Sequence, residues 1–128
     1  MGLLSFLAVG FGAFAGALLR WGFGIVLNPL LPVLPLGTLA ANLLGGFVIG
    51  AALGLFNQFQ SLPPEIRLFV TTGFCGGLTT FSTFSAETVT LVLRQQYGWT
   101  AAIVSAHVIG SLVMTLAGIG LMRLIFRT

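Results

Sequence analysis

Charge is nearly absent from this chain. Five arginines and two glutamates are the only charged side chains in 128 residues, with no lysine and no aspartate. Charged residues make up 5%, against roughly 25% in ordinary soluble domains, while 57% are hydrophobic. So few charges cannot coat a water-facing surface, and the apolar side chains need another solvent. A bilayer is that solvent, and a spanning helix needs roughly 20 apolar residues. Segments of this kind run over residues 3–27, 36–56, 66–93 and 100–126. The pattern predicts an all-α membrane protein, a single domain over residues 1–128 with four transmembrane helices.

The connections are legible too. Asn28-Pro29, Pro32 and Pro35 cannot stay helical. The polar stretch from Asn57 to Ser61 precedes Pro63-Pro64, which opens a helix, and the run from Arg94 to Gly98 makes the last turn. Trp21, Tyr97 and Trp99 sit near segment ends, where amphipathic rings favour the membrane interface. The N-terminus lacks the basic region of a signal peptide, and Phe6 stands where a myristoylation motif needs Ser or Thr. Small residues recur at helical spacing: Gly12 with Gly16, Gly46 with Gly50 and Gly54, and Ala102 with Ala106 and Gly110. Such faces let helix backbones approach closely in lipid. The single cysteine, Cys75, excludes an intrachain disulfide and reads as a small buried apolar residue.

The third segment is the unusual one. It is longer than a straight span requires, and its middle reads from Thr71 through Gly73, Gly76 and Gly77 into the Thr- and Ser-rich run from Thr79 to Ser85. Each Gly costs roughly 1 kcal/mol against Ala in a helix, and the hydroxyls compete for backbone groups. The Gly76-Gly77 pair is therefore the expected break, a third helix broken at mid-membrane. In hydrocarbon, the freed backbone groups must meet protein, a watery cavity or an ion. Half-helix N-termini there suit anions and freed carbonyls suit cations. Beyond the break Phe81 and Phe84 share a helix face, with Ser82, Ser85, Thr83 and Thr88 nearby. His107, Ser111 and Thr115 form a polar stripe at i, i+4 and i+8 of the fourth segment, and Asn42 lies inside the second. Singly, such residues bond a neighbouring helix or their own i−4 carbonyl. Glu87 is the one carboxylate deep in a span, either a proton carrier or an acceptor for hydroxyls such as Thr83. Arg20 can snorkel to the interface while making a wet vestibule electropositive.

The run from Gly76 to Ser85 with Glu87 resembles the signature of the bacterial fluoride channels called Fluc. So do Gly37-Thr38-Leu39 followed by Asn42, Gly16 to Arg20-Trp21, and Gly110-Ser111-Leu112 with Met114-Thr115. The resemblance covers essentially the whole chain. It implies an antiparallel dual-topology homodimer with two pores, in the bacterial cytoplasmic (inner) membrane. It implies that the ring edges of Phe81 and Phe84 face the permeating anion and that Asn42 is the pore asparagine. Ser82, Ser85 and Thr115 match the hydroxyl track, with Thr83 and Ser111 supporting it. Gly76 and Thr79 match positions whose carbonyls, from both subunits, hold a structural Na⁺ at the dimer centre. Arg20 matches the basic residue of the vestibule, and His107 is given no role. The implied activity is fluoride-selective, passive electrodiffusion that exports cytoplasmic fluoride. An inside-negative potential favours anion exit by about 2.3 kcal/mol per charge per 100 mV.

Two other readings compete. A small dual-topology multidrug or cation exporter shares the size and charge balance, but needs a carboxylate in its first span, which this chain lacks. A purely structural subunit needs neither a broken helix nor hydroxyl stripes. An enzyme is not expected, since no nucleophile–base pair, metal cluster or phosphate loop is present in the sequence.

With four spans, one side of the membrane receives Arg67, Arg123 and Arg127, and the other Arg20 and Arg94. Basic flanks normally fix orientation, and this bias is weak. The chain is expected to insert both ways up, the alternative being one weakly specified orientation. A cysteine added at either terminus in a Cys75→Ser background should then be labelled from both faces of the membrane; labelling from one face alone excludes dual topology.

Overall fold

The computed structural model describes residues 2–126, and over these the chain is helical throughout, without a strand. Arg127, counted above among the basic flanks, lies outside the described residues. Helix α1 spans Leu3–Leu27 and leads into a 3₁₀ turn, Asn28–Leu30, whose second residue is a proline. The Asn28 side chain accepts from the Gly37 N–H at 2.7 Å, which ties the end of α1 to the start of α2, Leu36–Gln58. Pro64 opens α3, Pro64–Leu68; its ring replaces an N–H that has no helical partner anyway. The backbone then widens into a π-helical stretch, Phe69–Cys75, before the short α4, Gly76–Leu78. Within it the Thr71 hydroxyl donates to the Arg67 carbonyl at 2.7 Å, competing for an acceptor the helix would use. Helix α5 covers Phe81–Leu93 and α6 covers Tyr97–Phe126.

Among the described residues, three stretches are long and apolar enough to cross a bilayer: Leu3–Leu30, Leu36–Gln58 and Tyr97–Phe126. Residues 64–93 do not form one such helix, because Thr79 and Thr80 are extended between α4 and α5. The molecule is also inverted relative to a soluble bundle. Large apolar side chains such as Phe6, Phe14, Trp21, Leu116 and Leu124 are exposed. Much of the interior is small or polar, with Gly12, Gly16, Gly46, Gly50 and Thr38 buried. This is the arrangement a bilayer solvent selects, and it identifies a multi-pass membrane protein.

The small-residue faces make the closest contacts. A Cβ on Gly12 would meet the Phe74 amide at 2.9 Å, and one on Gly16 the Leu78 amide at 2.7 Å, so α1 lies directly on residues 69–78. Gly46 and Gly50 bring α2 onto the Ser111 and Thr115 carbonyls of α6. On the α6 side, Gly110 of the expected stripe packs against the Leu43 side chain rather than a backbone. Backbone contacts with α2 are made at Ser111, Thr115 and Gly118, and Ala102 packs against a small cluster of Leu34, Leu91 and Ile103.

The α5–α6 turn closes by two bonds, Gln96 N–H to the Leu91 carbonyl and Gln95 N–H to the Val92 carbonyl, both 2.9 Å. This Schellman arrangement puts its C′ residue in the left-handed region, and Gln95 occupies it with φ 59°. A side chain there costs roughly 1–2 kcal/mol against glycine. Gln95→Gly should raise the unfolding free energy by about 1 kcal/mol, read as a higher thermal midpoint in detergent.

Candidate functional site

The site is built around the two extended residues. In a continuous helix each N–H reaches the carbonyl four residues back. Here Gly76 is helical, with φ −62° and ψ −38°, and the helix runs through Gly77. The expected break at Gly76-Gly77 is thus displaced to Thr79 (φ −86°, ψ 154°) and Thr80 (φ −148°, ψ 111°). The physical reason is that the glycines serve close packing, Gly77 lying against the Ala13 backbone of α1, whereas at Thr80 one side chain offers partners to both the N–H and the carbonyl.

Asn42 supplies those partners. Its Oδ1 accepts from the Thr80 N–H at 2.8 Å, and its Nδ2 donates to the Thr80 carbonyl at 3.2 Å. One side chain thereby takes both polar groups of the same backbone residue. Nδ2 also contacts His107 Nδ1 at 3.0 Å, so both amide protons are engaged within the chain. Thr80 in turn caps α5: its Oγ1 accepts from the Thr83 N–H at 3.1 Å and donates to Thr83 Oγ1 at 3.0 Å, with Ser82 Oγ at 3.3 Å.

These substitutions release particular carbonyls. The Thr80 N–H that a helix would direct to Gly76 goes to Asn42, and the Thr83 N–H that it would direct to Thr79 goes to Thr80 Oγ1. Gly76 and Thr79 are the two residues expected to hold Na⁺ through their carbonyls, and Gly76 is exposed on the surface of the chain. Neutral carbonyl oxygens freed from a helix suit a hard cation, so these two oxygens fit such an ion. The Gly77 carbonyl has another partner: Arg20 Nε donates to it at 3.0 Å. Arg20 therefore reaches inward to the interruption rather than only snorkelling.

Two cavities flank Thr80. The larger, about 470 Å³, is lined by Asn42, Phe81, Phe84, Ser111, Gly76 and Thr79 among the expected site residues, and also by Cys75, Thr80 and His107. The Phe81 and Phe84 rings meet edge to face, centroids 5.7 Å apart, and Phe84 lies 4.5 Å from the His107 ring. Phe81 is 79% exposed, so the cavity opens on the outer surface of the chain. The smaller cavity, about 310 Å³, joins Arg20 and Thr83 to Trp21, Asn28 and Thr38. Ser82 and Ser85 are exposed on α5 and line neither of these two cavities. Thr115 turns its hydroxyl to the Gly46 and Ser111 carbonyls, each at 3.0 Å. Glu87 accepts from Thr38 at 2.7 Å, not from Thr83, and among the described residues its other oxygen is buried without a partner.

Sequence reasoning passed over Thr80, Thr38 and His107. Thr80 was hidden by its position in a hydroxyl-rich run, and Thr38 by distance, 49 residues from its carboxylate partner. His107 did carry a signal, its register with Ser111 and Thr115.

A family profile described as "CrcB-like protein, Camphor Resistance (CrcB)" matches residues 7–119. A protein of Nitrosospira multiformis named fluoride-specific ion channel FluC is 66% identical over 119 residues, which cover 93% of each chain. Proteins with the same name from Pseudomonas paraeruginosa and Nitrosomonas europaea are 58% and 56% identical, covering 90% and 88% of this chain and 91% and 89% of theirs.

Removing the Asn42 amide strands both backbone groups of Thr80, at about 1–3 kcal/mol for each unmade bond in a buried site. Asn42→Ala should therefore lower stability by at least about 2 kcal/mol, measured by denaturant unfolding in detergent; an unchanged midpoint would show that Thr80 finds other partners.

Proposed function

Because the chain belongs to the CrcB-like family, we propose that it is a fluoride-specific channel of the bacterial cytoplasmic membrane, exporting cytoplasmic fluoride by passive electrodiffusion. The observation that carries this reading is near full-length similarity to proteins named for that activity. The local chemistry supports it. Fluoride is small and strongly hydrated, so a pore must replace its water with donors. Ser111, which carries a hydroxyl donor, lines the main cavity, and the edges of Phe81 and Phe84 carry the positive rim of the ring quadrupole. Arg20 adds positive charge beside the second cavity and concentrates anions there. Ser82, Ser85, Thr83 and Thr115 continue the hydroxyl track beyond the cavity, the exposed serines completing it where a second copy packs.

In this reading residues 64–93 form a fourth span, interrupted at mid-membrane at Thr79-Thr80. Two such chains pair antiparallel as a dual-topology homodimer, which covers the exposed faces of Phe81 and Gly76. The Gly76 and Thr79 carbonyls of both copies then converge as ligands for a structural Na⁺. Bound by these carbonyls, such an ion would supply a fixed positive charge that offsets the freed carbonyl dipoles.

Proteoliposomes containing the protein should release fluoride, and not chloride, when a K⁺ diffusion potential is applied. Equal release of both anions would refute selectivity. Phe81→Ile keeps the bulk and removes the ring edge, and should slow fluoride release by on the order of tenfold, a loss of about 1.4 kcal/mol of anion stabilisation, while the protein still elutes as a dimer.

A further inference from the structure

We infer that Gly45 and Asn42 of α2 are positioning residues for the cation site, which together hold the Thr79 carbonyl as a fixed ligand. The inference rests on the sodium reading above and deepens it. Every other polar group of Thr79 is already used. Its N–H and its hydroxyl both donate to the Cys75 carbonyl, at 3.0 and 2.8 Å. The peptide that follows is gripped at its far end, where the Thr80 N–H donates to Asn42 Oδ1 at 2.8 Å. Among the described residues no peptide bond is cis. In a planar trans peptide the C=O and the N–H point in opposite directions. Holding the Thr80 N–H against α2 therefore turns the Thr79 carbonyl away from Asn42. Among the described residues that carbonyl accepts no hydrogen bond.

Gly45 fixes the side chain of the same residue. It is buried and lies three positions after Asn42, on the same face of α2. A Cβ on Gly45 would collide with the Thr79 Cγ2 methyl and come within 3.6 Å of Thr79 Cβ. The methyl has little freedom to swing aside. The hydroxyl on the same Cβ is bonded to the Cys75 carbonyl, and a β-branched side chain has few rotamers. Relief has to come from χ1, with loss of the hydroxyl bond, or from the Thr79 backbone that carries the ligand. The absent side chain of Gly45 and the amide of Asn42 thus act on one carbonyl from one helix. Groups that orient a metal ligand without touching the ion matter to binding, and losing one costs roughly 10–100-fold in metal affinity.

The probe is Na⁺ itself, exchanged for N-methylglucamine at constant ionic strength. A bound ion raises the thermal midpoint of the purified dimer once its concentration passes the dissociation constant. The onset of that rise reports affinity, whereas a purely structural defect lowers the midpoint at every concentration and leaves the onset in place. Gly45→Ala should move the onset to roughly tenfold higher Na⁺, although helix propensity alone favours Ala. Thr79→Ser removes the methyl and keeps the hydroxyl and the carbonyl, so adding it to Gly45→Ala should recover most of the wild-type onset. Asn42→Ala frees the Thr80 N–H and should also raise the onset by roughly tenfold. A dimer of either single variant with the wild-type onset, or a Gly45→Ala defect that Thr79→Ser leaves uncorrected, overturns the inference. Where Gly45→Ala fails to assemble, rescue of the dimer by Thr79→Ser supports the inference and no rescue overturns it. A wild-type midpoint indifferent to Na⁺ overturns the sodium reading as well. Fluoride release plays no part in this readout, so failure of the channel reading is scored separately.

Discussion

A backbone that leaves helical geometry inside an apolar bundle must find new partners for the N–H and C=O groups it strands. At Thr80 a single side chain, Asn42, takes one of each. The rest of the site follows from that grip. Thr80 is held extended, so its hydroxyl faces forward and caps α5 at Thr83. The capping sets where α5 begins, and hence where Phe81 and Phe84 point. The bonds that Asn42 and Thr80 divert are the ones that would have closed on Gly76 and Thr79. Arg20 takes the neighbouring Gly77 carbonyl. One amide thus decides which carbonyls stay available to an ion and which do not.

This grip works only because the helices are close. Asn42 reaches Thr80 across 38 residues of sequence, and α2 can sit beside the interruption because Gly45 packs against the Thr79 side chain. Gly16 and Gly77 let α1 approach from the other side, close enough for Arg20 to bond a main-chain carbonyl. In lipid there is no hydrophobic force to hold helices together, so contact between backbones carries the association. The exposed large side chains and the small buried ones are two consequences of the same solvent.

Periodicity and composition made the long helices legible, because lipid imposes a length and an apolar face that local sequence must satisfy alone. The α1 and α2 glycine faces were legible for the same reason, as each is a property of one helix. The interruption was legible only to within a few residues. Glycine propensity points to Gly76-Gly77, but propensity is a weak local term. Asn42, far away in sequence, offers Thr80 two hydrogen bonds and wins. The Thr38–Glu87 pair and the inward reach of Arg20 were hidden likewise, since each depends on which helices become neighbours. The Phe81 and Phe84 pair was read correctly as one face because three residues of spacing is a local fact. That both rings line the cavity of Asn42 and His107 is a tertiary one.

The same distinction bears on how selectivity can be built from so few polar groups. An amide placed in a pore as a free donor would be mobile, and its orientation would relax around any anion. Here the amide is fixed at both ends, by Thr80 and by His107. Phe84 restrains the His107 ring by stacking at 4.5 Å. Rigidity of this kind favours the smallest halide, because only a small anion gains enough from fixed short donors to replace its water. Discrimination in this reading comes from a backbone that is held out of helix by the Asn42 amide.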